Sequence, residues 1–169
     1  LITRPFVVLG REALVAVSGI AFIITVALFF AELYGYTLTL KGFRKFRLRW
    51  DAIDISSAAL AAAVYGGSLI ATGGIPVIPG FTWIRPGNAL APLFGVLFGL
   101  PGSIGVAIGN FLADAFAGYL SVGSIGGFFG NFALAYIPYK LMRDQTFRNG
   151  RSIIEFYVHA VLISNVVCS

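Results

Sequence analysis

Between Trp83 and Asp114 the chain reads WIRPGNALAPLFGVLFGLPGSIGVAIGNFLAD, a run apolar enough to sit in lipid that still holds Arg85, Asn88, Asn110 and Asp114. Polar groups in hydrocarbon are costly and are kept where they have work to do. The run also carries two G-x-x-x-G pairs, Gly95/Gly99 and Gly105/Gly109. Such pairs let helix backbones approach closely where lipid removes the hydrophobic drive between helices. Pro86 suits a first helical turn and Pro101-Gly102 a tight reversal, so the stretch predicts a helix hairpin with arms from about Pro86 to Leu100 and from about Gly102 to Ala117. Both arms are short for a full crossing, which calls for local thinning of the bilayer or exposure to a protein-lined or water-lined cavity.

The rest of the chain is equally apolar. Hydrophobic residues make up 58% and charged residues 11%, against roughly 25% charged in soluble domains. An all-α integral membrane protein follows. Leu14 to Ala31 is long enough to span a hydrocarbon core that needs about 20 residues. A signal peptide would have a shorter apolar region ending in small residues, whereas this run ends in Leu28-Phe29-Phe30. Lys41 to Trp50, KGFRKFRLRW, alternates cations with aromatics, as both nucleic-acid arms and membrane-surface segments do; between two spanning helices the membrane surface is the better fit. Residues 1–50 form one unit, a spanning helix with its basic linker, and residues 51–169 a membrane domain.

In that second unit, Ile53 to Thr72 predicts a spanning helix with small residues four apart at Ala58/Ala62/Gly66 and Ala59/Ala63/Gly67. Spacing alone favours packing inside the bundle over docking to another membrane protein. Gly73 to Trp83 is a Gly/Pro-rich structured loop, Ser124 to Leu141 a further helix, and Ser152 onward the start of a last one. The total is about six transmembrane helices. The chain begins at Leu1 rather than Met and stops at Ser169 inside an apolar run, which leads us to expect truncation at both ends.

Charge placement supports the count. Lys41, Arg44, Lys45, Arg47 and Arg49 are separated by four crossings from Lys140, Arg143, Arg148 and Arg151, so nine of the twelve cations share one side. By the positive-inside tendency the loops 41–49 and 140–151 are cytoplasmic in a multi-pass protein of the plasma membrane. The net charge of +5 then needs no nucleic-acid partner. Trp83, Arg85, Asn88, Asn110, Asp114, Tyr119 and Asn131 fall in the opposite leaflet, a set of aromatic walls and a few polar groups that suits a small polar solute entering from outside. Arg85 could meet Asp114 across the hairpin. The competing view is a non-transporting scaffold whose polar cluster only clasps helices.

Catalytic signals are poor. His159 is the single histidine, Cys168 the single cysteine, and no H-E-x-x-H or G-x-S-x-G motif occurs, so neither an enzyme nor a metal or cofactor site is expected. With no G-x-x-x-x-G-K-[ST], any ATP hydrolysis belongs to a partner.

The order of motifs, SSAALAAAVYGG, a Gly/Pro loop, WIRPGNALAPLFGVLFG and PGSIGVAIGNFLAD, resembles the substrate-binding S-component of energy-coupling factor (ECF) transporters. The resemblance covers roughly Ile53 to the end. It implies a six-helix domain that binds a vitamin or other micronutrient near the outer surface and meets a transmembrane coupling subunit driven by two ATPases. It also implies that Ala58, Ala59, Ala62, Ala63 and Gly66 dock the coupling subunit and that the 73–83 loop caps the solute. Five of the six family helices are present, preceded by an extra N-terminal helix whose role the family does not supply. No one micronutrient is singled out.

Overall fold

The computed structural model describes residues 3–39, 42–72, 75–78, 82–84, 86–118 and 120–163. Its elements are α1 (Thr3–Leu33), β1 (Tyr36–Thr39), β2 (Gly42–Lys45), α2 (Ala52–Thr72), β3 (Ile75–Ile78), β4 (Thr82–Ile84), a 3-10 turn (Pro86–Ala89), α3 (Leu90–Phe116), α4 (Val122–Leu141) and α5 (Gly150–Tyr157), which continues into a π turn (Val158–Ile163). Among the described residues, Val15–Leu33, Ala52–Thr72 and Pro86–Phe116 are long and apolar enough to cross a membrane. Large aliphatic side chains point outward, with Ile23 67%, Ile53 74% and Leu97 55% exposed, as lipid-facing residues are. The chain is a helical membrane protein.

α3 is the centre, packed against α2 on one side and α4 on the other. It is broken at Gly99, whose φ of 63° and ψ of −134° lie outside helical space. A Cβ placed on Gly102 would collide with the carbonyl oxygen of Phe94, eight positions earlier, whereas eight residues of straight helix span about 12 Å. The two arms therefore fold back on each other, and the five helices among the described residues present six helical rods. The reversal falls two residues earlier than Pro101-Gly102 predicts. Only a residue tolerant of positive φ can make it, and Pro101 then serves the first turn of the second arm, where no backbone donor is missed.

The G-x-x-x-G pairs divide their work differently from a simple packing stripe. A Cβ on Gly95 would run into the Ala135 carbonyl in α4, and one on Gly105 into the Ala58 carbonyl in α2. Gly109 and Gly66 face each other, each too close to the other's backbone to accept a side chain. Gly95 thus seats the first arm on α4, and Gly105 with Gly109 seats the second arm on α2.

No strand is expected from the sequence, yet two short antiparallel hairpins form. β1 pairs with β2 through Thr37↔Arg44 and Leu38↔Phe43. The linker beginning at Lys41 therefore contains the four-residue strand β2. Beyond it Phe46, Leu48 and Trp50 pack on the cluster of Leu100, Ile104, Ala107, Phe132 and Tyr136, while Arg47 and Arg49 stay exposed. The alternation of cations with apolar residues is the period-two pattern of an extended strap with one face on the protein. The 73–83 loop likewise contains β3 and the start of β4, paired through Ile75↔Ile84 and Pro76↔Trp83.

Candidate functional site

Tyr65 interrupts the small residues of α2 and is completely buried. Its hydroxyl donates to Asn131 Oδ1 at 2.5 Å and lies 3.1 Å from Oδ1 of Asn88. Asn131 Nδ2 donates to Gly127 O at 2.8 Å, which fixes the sense of its carboxamide. A phenol has one proton, so Asn131 takes it at the shorter distance and Asn88 Oδ1 is the longer, second acceptor facing the same hydroxyl. Three elements, α2, the 3-10 turn and α4, are thereby tied at one point. Asn88 is exposed, so the network reaches the surface there.

Asn110, on the second arm of α3, extends this polar track. A Cβ on Gly127 would lie 2.9 Å from Asn110 Nδ2, so glycine at 127 lets α4 close over that side chain, with Asp114 Oδ2 in ordinary contact range at 3.9 Å. Asn110 is 5% exposed and makes no hydrogen bond to any described residue. Its carboxamide atoms are not fully enclosed, since no described side-chain N or O is both buried and unpartnered, so they remain open to water or to a solute. Asp114, one turn on, is half-buried.

The structure thus gathers Asn88, Asn110 and Asn131 and adds Tyr65, absent from the sequence-based set. The available signal for Tyr65 was a single hydroxyl in a stripe of alanine and glycine. Arg85 and Tyr119 lie outside the described residues, as does any meeting of Arg85 with Asp114, and Trp83 is described only by its backbone in β4.

The expected docking residues separate into two rows. Ala62 and Gly66 are buried against α3, and Ala58 is half-covered there. That row packs inside the chain, because Gly105 and Gly109 bring the second arm within backbone contact of it. Ala59, Ala63 and Gly67 are exposed, and a Cβ on Gly67 would meet nothing within 4 Å.

A second polar cluster joins the N-terminal unit to α4. Glu32, at the end of α1, is 1% exposed. Its Oε1 pairs with Lys140 Nζ at 2.9 Å and accepts from Tyr136 Oη at 2.5 Å and Thr37 Oγ1 at 2.7 Å. Lys140 also donates to Thr37 Oγ1 and lies over the rings of Tyr136 and Tyr139. From sequence Glu32 reads only as the boundary of an apolar run. The usable signal was an acid and a base ending two spans on the same side. Three cavities lined by described residues lie around α1, β1, β2, the C-terminal part of α4 and α5.

The model of the QueT transporter family matches residues 55–169, more than half of the chain and beginning within α2. No curated protein and no solved structure matches. The matched part contains Tyr65 and all three asparagines and leaves out α1 with its hairpin. The chain belongs to the QueT transporter family, an S-component family of ECF-type transporters.

Proposed function

We propose that the chain is the solute-capturing membrane subunit of an ECF-type importer and that its solute is a queuosine precursor, the substrate class named for the family. Asn88, Asn110 and Asn131 hold the solute, with Tyr65 setting the orientation of two of them. Trp83, Arg85, Asp114 and Tyr119 complete the pocket. The supporting observation is the Asn110 carboxamide, nearly buried and without a hydrogen bond among the described residues. Carboxamides offer a donor and an acceptor on one rigid fork, which suits a solute with paired donor and acceptor edges. β3 and β4 immediately precede the turn that carries Asn88 and act as the cap over the solute.

Solute leaves through a transmembrane coupling subunit driven by two ATPases, and that subunit docks on the exposed row of Ala59, Ala63 and Gly67. The basic loops 41–49 and 140–151 face the cytoplasm. The test is equilibrium binding of a radiolabelled queuosine precursor to the purified full chain in detergent. Saturable binding with one site per chain is expected. Absence of binding to the folded protein, with folding checked by its melting curve, overturns the substrate assignment.

The Tyr65 network is also what a helix clasp would look like. The clasp reading predicts that loss of Asn110 alters folding alone, whereas the transport reading predicts altered affinity.

A further inference from the structure

Two adjoining cavities sit where the N-terminal unit meets α4. One is an open cleft of about 650 Å3 between the β1–β2 hairpin and the end of α4, lined by Thr37, Thr39, Arg44, Tyr139 and Lys140 among others. The other is a groove of about 260 Å3 between α1 and α4, walled by Ile24, Thr25, Leu28, Phe132, Tyr136 and Ile137. The Glu32–Lys140 pair stands between them, one turn beyond Leu28 on α1 and one turn beyond Tyr136 on α4.

The groove offers a ligand nothing polar. Thr25 Oγ1 is bonded to Ala21 O at 2.9 Å, and Tyr136 Oη is bonded to Glu32. Its occupant must be apolar, and within a membrane that is a hydrocarbon chain. The cleft has the opposite character. Lys140 has three donor protons, of which Glu32 and Thr37 take two. Glu32 matches the charge of Lys140, so the exposed Arg44, opposite Thr37 in the hairpin, leaves the cleft with an uncompensated positive charge. Lys45 follows it. The hairpin begins three residues after the spanning segment Val15–Leu33 ends, which puts the cleft at headgroup level.

We propose that this juxtaposition is a built site for one anionic phospholipid, with its phosphate in the Arg44–Lys140 cleft and an acyl chain in the α1–α4 groove. Basic pockets beside transmembrane helices take such headgroups. The lipid explains how α1 can pack so sparsely, with 11% of its apolar span buried inside the chain. Lipid in the groove supplies a wall that α1 and α4 do not supply to each other. A free phosphate or a soluble headgroup shares the cleft chemistry but not the groove, and ordinary surrounding lipid would show no headgroup preference.

The experiment is native mass spectrometry of the full chain released from vesicles of equal phosphatidylglycerol and phosphatidylcholine. One phosphatidylglycerol is expected to remain bound, enriched roughly tenfold over phosphatidylcholine. Arg44→Glu, on an exposed strand, should abolish the enrichment, and Ala21→Phe, which projects a ring from α1 beside the groove, should lower retention of both lipids. Glycerol phosphate at millimolar concentration should not displace the lipid. Equal retention of the two lipids by the parent chain, or enrichment unchanged in Arg44→Glu, overturns the site. Displacement by glycerol phosphate, or retention unchanged in a folded Ala21→Phe, overturns the two-part arrangement.

Discussion

Tyr65→Phe is the cleanest perturbation of the asparagine track. The ring is wholly buried, and phenylalanine keeps its shape while removing one oxygen atom. That oxygen holds the 2.5 Å bond to Asn131 and the 3.1 Å approach of Asn88. The two asparagines respond differently to its removal. Asn88 is exposed and can turn to water, so its release is nearly silent. Asn131 is only partly exposed and stays anchored through Nδ2 to Gly127 O, so its oxygen cannot swing away to find another donor. Stranding that acceptor costs about 1–3 kcal/mol, or a fall of about 2–12 °C in the melting temperature of ligand-free protein at 2–4 °C per kcal/mol for a chain of this length. Asn88→Ala should move it far less. A double-mutant cycle between Tyr65→Phe and Asn131→Ala, read by thermal melting in detergent, should give a coupling of about 0.5–3 kcal/mol. Strict additivity, or a melting temperature for Tyr65→Phe equal to that of the parent, would refute the claim that one phenol organises this site.

Ala62→Leu and Ala63→Leu should behave oppositely although they are neighbours. Leucine at 62 enters the α2–α3 contact and should lower the melting temperature, at an overpacking cost of about 1–3 kcal/mol, whereas leucine at 63 should leave melting and solute binding intact and reduce uptake in cells that supply the coupling module. Lys140→Met leaves Glu32 buried without its cation and should destabilise by about 3–5 kcal/mol, most of it recovered by adding Glu32→Gln; equal stability of the single and double variants in melting would contradict a buried pair. With Cys168 replaced by serine, cysteines at position 45 or 148 should resist a membrane-impermeant thiol reagent in intact cells, and efficient labelling of either would reverse the orientation.

The helices α1, α2 and α3 were legible because length and hydropathy alone decide them. The hairpin at Gly99 was legible to within two residues, since the Gly and Pro that permit a reversal are local features. The strands were harder to see. Phe46 to Trp50 alternates with period two, but its cations point as readily to the membrane surface, although Phe46, Leu48 and Trp50 cover the protein's own base. The two small-residue rows of α2 look identical in sequence. Only the partner distinguishes them, because Gly105 and Gly109 could have faced any of several helices. Tyr65 and Glu32 were missed for the same reason. A single hydroxyl or carboxylate acquires its role from residues 66 and 108 positions away, Asn131 and Lys140, which no local pattern reports. Asn88, Asn110 and Asn131 could be placed in one leaflet from helix counting, yet the contacts that connect them run through Gly127 and Tyr65.

The central claim, that this track binds solute rather than merely holding helices, rests most directly on Asn110. Titration calorimetry of Asn110→Ala with a queuosine precursor, alongside ligand-free melting curves, separates the two roles. Because Asn110 makes no hydrogen bond to a described residue, alanine should leave ligand-free melting unchanged or slightly raised while weakening binding by about 1–3 kcal/mol, roughly five- to more than a hundredfold. A lowered melting temperature with unaltered affinity would contradict the account.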